Sequence, residues 1–413
     1  MWQAMMHPNM IHTLAIAGLV LLLGYGVRRL VPMLCRYNMP APVVGGLLVA
    51  LGMLWGNSAG ISLPTFDTAL RQPLMIAFFT AMGFGASLKL LRRGGPQVGI
   101  FVLLAAGYAV LQNIVGILAV LPFGMPPLMG VICGSVALTG GPATGMAFAG
   151  DFAKAGVPGA ESLVIAAAMF GILAGGVLGG PLTTMLVERA KRRRQELQVG
   201  LVTESALSAA EEFLPAESDN VPSAEDAGAF RLLKNVVAIL VCMWAGAGVS
   251  HLISGSGITL PAYIGAMMVA ALVRNLDDLT GWLKLSQRVI DDVGYVALSL
   301  FLAMALMTLR LWDLGGLMLP LVVVLVVQAI LVALACRYVV FRAMGSDYEA
   351  AVMSGGFFGF MLGTMANAMS VMEAIVERYG KAPRAYLVVP VVGVFFIDVI
   401  NGVIITIFLN ILR

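Results

Sequence analysis

The sequence predicts an all-α integral membrane protein with two inverted repeats of five transmembrane helices, each repeat interrupted by a Gly-rich re-entrant loop. Three observations lead there. The chain is 60% hydrophobic and 11% charged, with a mean hydropathy of +0.95, whereas an ordinary soluble domain carries about 25% charged residues. Apolar runs of the roughly 20 residues needed to cross a bilayer recur near 10–27, 39–56, 73–91, 98–122, 160–187, 232–254, 258–274, 293–312, 316–341 and 385–411. Two further apolar stretches, 126–150 and 348–370, are broken by glycine, and each falls between the fourth and fifth run of its half.

The halves echo one another. Met39-Pro40-Ala41-Pro42-Val43-Val44-Gly45-Gly46 in the second run is matched by Leu260-Pro261-Ala262-Tyr263-Ile264-Gly265-Ala266, and Phe78-Phe79-Thr80-Ala81-Met82 by Phe301-Leu302-Ala303-Met304-Ala305. The fourth runs each hold a mid-span amide, Gln112 and Gln328. Because each half has an odd number of spans, the second copy must lie upside down relative to the first, an arrangement common in transporters. This divides the chain into an N-terminal repeat, 1–188, a linker, 189–231, and a C-terminal repeat, 232–413.

The first broken stretch contains Leu138-Thr139-Gly140-Gly141-Pro142-Ala143-Thr144-Gly145. The second runs from Ser354-Gly355-Gly356-Phe357-Phe358-Gly359 through Gly363-Thr364-Met365-Ala366-Asn367. Irregular backbone at membrane depth is tolerated only where it is buried in protein or lines a watery cavity. Paired interruptions in corresponding halves point to a transporter's substrate site. A helix start there offers free N–H groups and a positive dipole end to a carboxylate, and freed carbonyls suit Na⁺. The candidate substrate residues are therefore Ser135, Thr139, Gly140, Gly141, Thr144 and Gly145 in the first loop, and Gly359, Gly363, Thr364 and Asn367 in the second.

Asp398 lies in the middle of the last apolar run, where a charge costs roughly 2.5–3.5 kcal/mol on insertion scales. Asn401, three residues on, shares its helix face. The two make a hard-oxygen pair suited to Na⁺, with a structural hydrogen bond to a neighbouring helix as the competing role for the carboxylate. Gln112 and Asn113 are further oxygen donors for the ion, or bonds between helices; Gln328 reads as a bond between helices.

Lys and Arg total 25, of which 21 fall on one side if the N-terminus is outside and both broken stretches re-enter. The positive-inside rule makes that side cytoplasmic and both termini external. Residues 190–230 open basic and turn acidic, and their few large apolar residues predict a largely disordered cytoplasmic tether. Cys35, Cys133, Cys242 and Cys336 lack metal or redox spacing and read as small buried apolar residues. No nucleotide-binding motif, zinc spacing or nucleophile elbow is present, and no basic groove suggests nucleic acid. The expectation is a transporter driven by a gradient, or a passive channel, with no enzymatic activity and no cofactor.

Several runs resemble the bacterial sodium/glutamate symporter family over nearly the whole chain outside the linker. They are Pro40-Ala41-Pro42-Val43-Val44-Gly45-Gly46-Leu47-Leu48-Val49-Ala50, Gln72-Pro73-Leu74-Met75-Ile76-Ala77-Phe78-Phe79, Ser299-Leu300-Phe301-Leu302-Ala303-Met304-Ala305-Leu306-Met307 and Val388-Val389-Pro390-Val391-Val392-Gly393 through Asp398 and Asn401. The resemblance implies a Na⁺-coupled importer of glutamate or a similar small carboxylate in the bacterial inner membrane. It also implies a homodimer in which a transport domain moves against a scaffold like an elevator. A transporter of another organic anion or amino acid, driven by H⁺, is the alternative. The chain departs from the family in both loops. The usual Gly-Gly-His-Gly-Thr-Gly has Pro142 and Ala143 in place of His and the next Gly, and Gly-His-Cys-Gly-Phe-Gly becomes Gly356-Phe357-Phe358-Gly359-Phe360-Met361. The family's Ala-Thr-Pro-Thr becomes Thr364-Met365-Ala366-Asn367. The phenylalanines suggest a bulkier or more apolar ligand.

Overall fold

The computed structural model describes residues 8–60, 64–89, 95–197, 225–254, 261–314 and 317–412, and among them every regular element is a helix. In the first half α1 is Met10–Leu30, α2 Pro32–Arg36, α3 Ala41–Ser58, α4 Arg71–Gly85, α5 Gly95–Val120, α6 Pro127–Val131 with a π-helical turn Ile132–Val136, α7 Gly141–Lys154 and α8 Ala160–Leu197. In the second, α9 is Glu225–Ser254, α10 Ala262–Thr280, α11 Gln287–Met307, α12 Met318–Ala343, α13 Tyr348–Leu362, α14 Met365–Tyr379 and α15 Pro383–Leu412. Setting aside the short α2, the order is the same in both halves: four helices, a broken pair, and one long helix.

Eight of the described helices are long and apolar enough to cross a membrane: α1, α3, α5, α8, α9, α11, α12 and α15. The other two predicted runs differ. The run at 73–91 is the 15-residue α4, and that at 258–274 is α10, which continues past the apolar segment into Arg274, Asp277 and Asp278. There Asp277 accepts backbone N–H bonds from Leu283 (2.7 Å), Lys284 (2.9 Å) and Leu285 (3.0 Å). Burial works to raise the pKa of this carboxyl, but the three donors and Arg274 outweigh it and hold it below the usual carboxylate range. Asp278 pairs with Arg274 at 3.1 Å and accepts from Ser87, tying α10 to the end of α4.

The linker also departs from expectation. α8 carries the basic run through Leu197 and α9 begins at Glu225, so both ends of the tether are helical; the acidic stretch between them lies outside the described residues.

The helices pack as two groups, and sequence neighbours do not all stay together. α1, α3, α4, α9, α10 and α11 pack on one another, with α4 against both α10 and α11. Their shared core includes Ala81, Phe84, Ile239, Cys242, Ala270 and Ile290. α5 to α8 form the second group with α12 to α15. At one end the groups are joined by Arg71 and Glu161 (2.8 Å) and by the Ser162 hydroxyl on Arg310 O (2.7 Å). At the other end Asn38 Nδ2 donates to Ser370 Oγ (2.7 Å). Leu22 and Leu23 of α1, Leu240 and Trp244 of α9 and Leu334 of α12 are exposed, the faces such helices turn to lipid.

Each broken pair is a hairpin held by small residues. At the mouth of the first, Gly116 of α5 meets Gly130 of α6 backbone to backbone; a Cβ on Gly130 would lie 2.3 Å from Gly116 C and O. The second is closed by Tyr348 OH donating to Gly380 O (2.5 Å), and Glu349 at the start of α13 accepts from Arg384 N (2.6 Å) at the start of α15. α13 and α14 therefore return to the side they came from.

Candidate substrate and ion site

The first break begins at Gly134, which leaves helical geometry inside the π turn (φ −98°, ψ −127°), and ends at Gly141, whose φ of 65° lies in the left-handed region that favours glycine. Pro142 then opens α7, where its missing N–H costs nothing. The second break is shorter: Gly363 (φ −156°, ψ −108°) and Thr364 alone separate α13 from α14. Neither Gly140 nor Thr364 makes a side-chain cap bond, and the first turns of α7 and α14 hold no acidic residue. Both helix starts thus present uncapped N–H groups and positive dipole ends. They also meet, since a Cβ built on Gly141 would stand 3.4 Å from Gly363 O.

A buried polar network holds the breaks. Gln112 Nε2 donates to Met361 O (2.9 Å) beside the second break, while Gln112 Oε1 accepts from the Thr139 hydroxyl (2.5 Å) of the first. Asn113 Oδ1 accepts from Ser135 N (2.9 Å), and Asn401 Nδ2 donates to Ser135 O (2.9 Å). Asn367 Nδ2 donates to Ile172 O of α8 (2.8 Å). Gln328 Nε2 donates to Gln112 O (2.7 Å), a bond between α12 and α5. The side-chain oxygens Asn401 Oδ1, Asn367 Oδ1, Ser135 Oγ and Gln328 Oε1 are buried without a hydrogen-bond partner, as is the Asn113 Nδ2 donor. Buried acceptors left over in this way are uncommon and suit a hard cation.

A cavity of about 590 Å³ lies between the two helix groups, within the roughly 300–1,000 Å³ range of small-molecule sites. Thr139, Gly140, Gly141, Gly363, Thr364 and Asp398 line one wall; Arg28, Asn38, Phe78, Tyr295 and Ser299 line the other. Six of the sequence-predicted residues therefore reach the cavity. Ser135, Asn367, Gln112, Asn113 and Asn401 do not, and stand behind its wall as the network that shapes it. Thr144 is buried beside Gly140 in the first turn of α7, and Gly145 packs against Val164 of α8. Asp398 and Asn401 do not bond to each other; Asn401 turns to Ser135, and Asp398 faces the cavity.

Two expectations about the second loop are corrected. Ser354 to Gly359 do not form a break but lie within α13, where the glycines admit close neighbours: Gly355 faces Thr183, Gly356 faces Met372 and Val389, and Gly359 faces the backbone of Ala368. Gly359 is thus a packing residue. Phe357 and Phe358 are fully buried and do not line the cavity, so they do not enlarge or grease the binding space. Phe357 packs edge-on to Phe101 (5.5 Å between centroids), Tyr108 (5.6 Å) and Phe360 (5.4 Å), and of these Phe360 alone reaches the cavity.

Arg28, Asn38, Tyr295 and Ser299 were not identified as site residues from sequence. Arg28 looks like any basic residue at the end of a span, and a single Ser or Tyr in an apolar helix is most simply explained by local bonding.

Multiple membrane-length helices, two helix breaks meeting at one cavity, and unpartnered oxygens behind it define a multi-pass membrane protein of the transporter class. The family profile described as Sodium/glutamate symporter matches residues 6–381. The chain is 38% identical over 407 residues to the sodium/glutamate symporter of Escherichia coli K12, covering 98% of each chain, and 36% identical over 402 residues to that of Haemophilus influenzae, covering 94% of each. The chain belongs to the sodium/glutamate symporter family.

Proposed function

We propose that the protein is a Na⁺-coupled symporter that imports glutamate across the bacterial inner membrane by alternating access. The observation that carries this reading is the meeting of two uncapped helix starts, one from each half, on one wall of a cavity between two helix groups. A carboxylate fits between those starts, against Thr139 to Gly141 and Gly363 to Thr364. Na⁺ is held by Asp398 and by the unpartnered Asn401 Oδ1. The Gln112 and Asn113 oxygens, offered by the sequence as further ligands, are already taken by the Thr139 hydroxyl and Ser135 N, so these two amides join Ser135, Thr144, Gly145, Asn367 and Gly359 in keeping the breaks in shape.

The halves 1–188 and 232–413 are inverted repeats joined by a cytoplasmic linker, 189–231. Their shared element order supports this, as do the contacts that tie together ends the basic residues assign to one side: Arg71 with Glu161 outside, and Lys191 over the Tyr379 ring inside. Both termini are then periplasmic. α5 to α8 with α12 to α15 form the moving body, and α1, α3, α4 and α9 to α11 the scaffold, which also pairs with a second copy in a homodimer. The cavity reaches Arg28 and Asn38, at the end assigned to the cytoplasm.

The test is uptake of labelled glutamate by proteoliposomes of the purified protein, with an inward Na⁺ gradient and with K⁺ in its place. Saturable accumulation that needs Na⁺ is expected. Equal uptake under a proton gradient without Na⁺ would replace the coupling ion, and uptake without accumulation would indicate a channel.

A further inference from the structure

Arg28 stands in the last turn of α1, across the cavity from the helix breaks. Its neighbour Arg29 is exposed, as expected of an arginine reaching toward headgroups. Arg28 is instead half-buried, with Nε enclosed and without a hydrogen-bond partner, and it makes no ion pair among the described residues. Asp398, the other charged residue lining the cavity, belongs to the opposite helix group, and no ion pair joins the two. On the same wall, Ser299 of α11 is 2% exposed and its hydroxyl has no partner. Two side chains of the scaffold wall thus line the cavity while carrying hydrogen-bonding groups without a partner.

A partly enclosed guanidinium without a carboxylate is costly unless an anion joins it, and its planar fork matches a carboxylate. Glutamate has two carboxylates. The helix starts account for one, and their N–H groups and dipoles would hold the α-carboxylate of any amino acid. We propose that Arg28 receives the side-chain carboxylate and is the residue that separates glutamate from its uncharged amide. This rests on the glutamate reading above.

The experiment measures labelled glutamate uptake in proteoliposomes under a Na⁺ gradient, with unlabelled glutamate and glutamine as competitors, for the parent, Arg28→Gln and Arg28→Lys. Arg28→Gln is expected to raise the KM for glutamate about 10- to 100-fold, the range for losing a charge-assisted hydrogen bond. Glutamine should then compete as well as glutamate, and Arg28→Lys should fall between the two. An Arg28→Gln protein that keeps the parent's KM within twofold and still ignores glutamine overturns the inference while leaving the function intact. A parent that accumulates no glutamate overturns the function and this inference with it. Should Arg28→Gln carry nothing, thermal stabilisation of the purified variant decides: equal stabilisation by glutamate and glutamine supports the role, and a retained preference for glutamate overturns it.

Discussion

The two helix breaks face the same cavity but are held in different ways. The first is long and is held from outside: Asn113 of α5 and Asn401 of α15 bond the N–H and C=O of a single residue, Ser135. The second spans two residues and carries its own clamp, since Asn367, in the first turn of α14, reaches to Ile172 O of α8. Both are tied to the other half of the chain, the first at one residue, Ser135, and the second through the Ile172 carbonyl and through Gln112 on Met361 O. Irregular backbone at membrane depth is tolerated where it is buried in protein or lines a watery cavity, and the longer first break draws in more foreign side chains. Asp398 lies between them on α15: Gly393, one helical turn and a half before it, packs on Met365 of the second break, and Asn401, nearly one turn after it, bonds the first.

That position gives the largest expected effect. A cation at Asp398 would tie both breaks to α15, so Asp398→Ala should reduce Na⁺-driven glutamate accumulation in proteoliposomes to the level of empty vesicles, with folding unchanged by size-exclusion profile. Full accumulation in the variant would show that the carboxylate serves neither break.

The next effect tests whether the breaks are coupled. Gln112 is the one side chain in the network that bonds both, through Nε2 to Met361 O and through Oε1 to the Thr139 hydroxyl. Gln112→Leu leaves Met361 O buried with a lost partner, at about 1–3 kcal/mol, while the Thr139 hydroxyl keeps only the weaker contact to Met361 Sδ (3.3 Å). Thermal unfolding in detergent should drop by several degrees, and uptake should fall with it. A variant as stable as the parent would mean that the two breaks are satisfied independently.

The smallest effect concerns the difference in how the two helices start. α7 opens with Pro142 and α14 with Met365. Replacing a compatible proline restores freedom to the unfolded chain, so Pro142→Ala should cost about 0.4–1 kcal/mol and leave glutamate KM within twofold. A large change in KM would show that the ring itself shapes the anion site of the first break.

Much of this was legible in the residues. Glycines grouped inside apolar segments announced two breaks, because a glycine-rich backbone has no use in a plain spanning helix. Asp398 announced itself because a mid-span carboxylate is too costly to be incidental. Less legible was which glycines break the helix and which pack it. Gly355, Gly356 and Gly359 have the same composition as a break but remain helical and admit Thr183, Met372, Val389 and the Ala368 backbone, neighbours up to about 170 residues away in sequence. The buried faces of Phe357 and Phe358 were hidden for the same reason.

By itself, then, the amino-acid sequence determined that the chain enters a membrane, that its halves share one order of helices, and that each half is interrupted once. These are properties of local hydropathy and backbone freedom, and they need no knowledge of what lies alongside. Only the tertiary structure decided that α4 leaves its sequence neighbour α5 to join α10 and α11, that Gln112 spans both breaks, and that Arg28 faces a cavity and not the lipid headgroups. Those outcomes depend on which helix faces meet, and side-chain partners far apart in the chain are chosen by packing and by the need to satisfy every buried polar group.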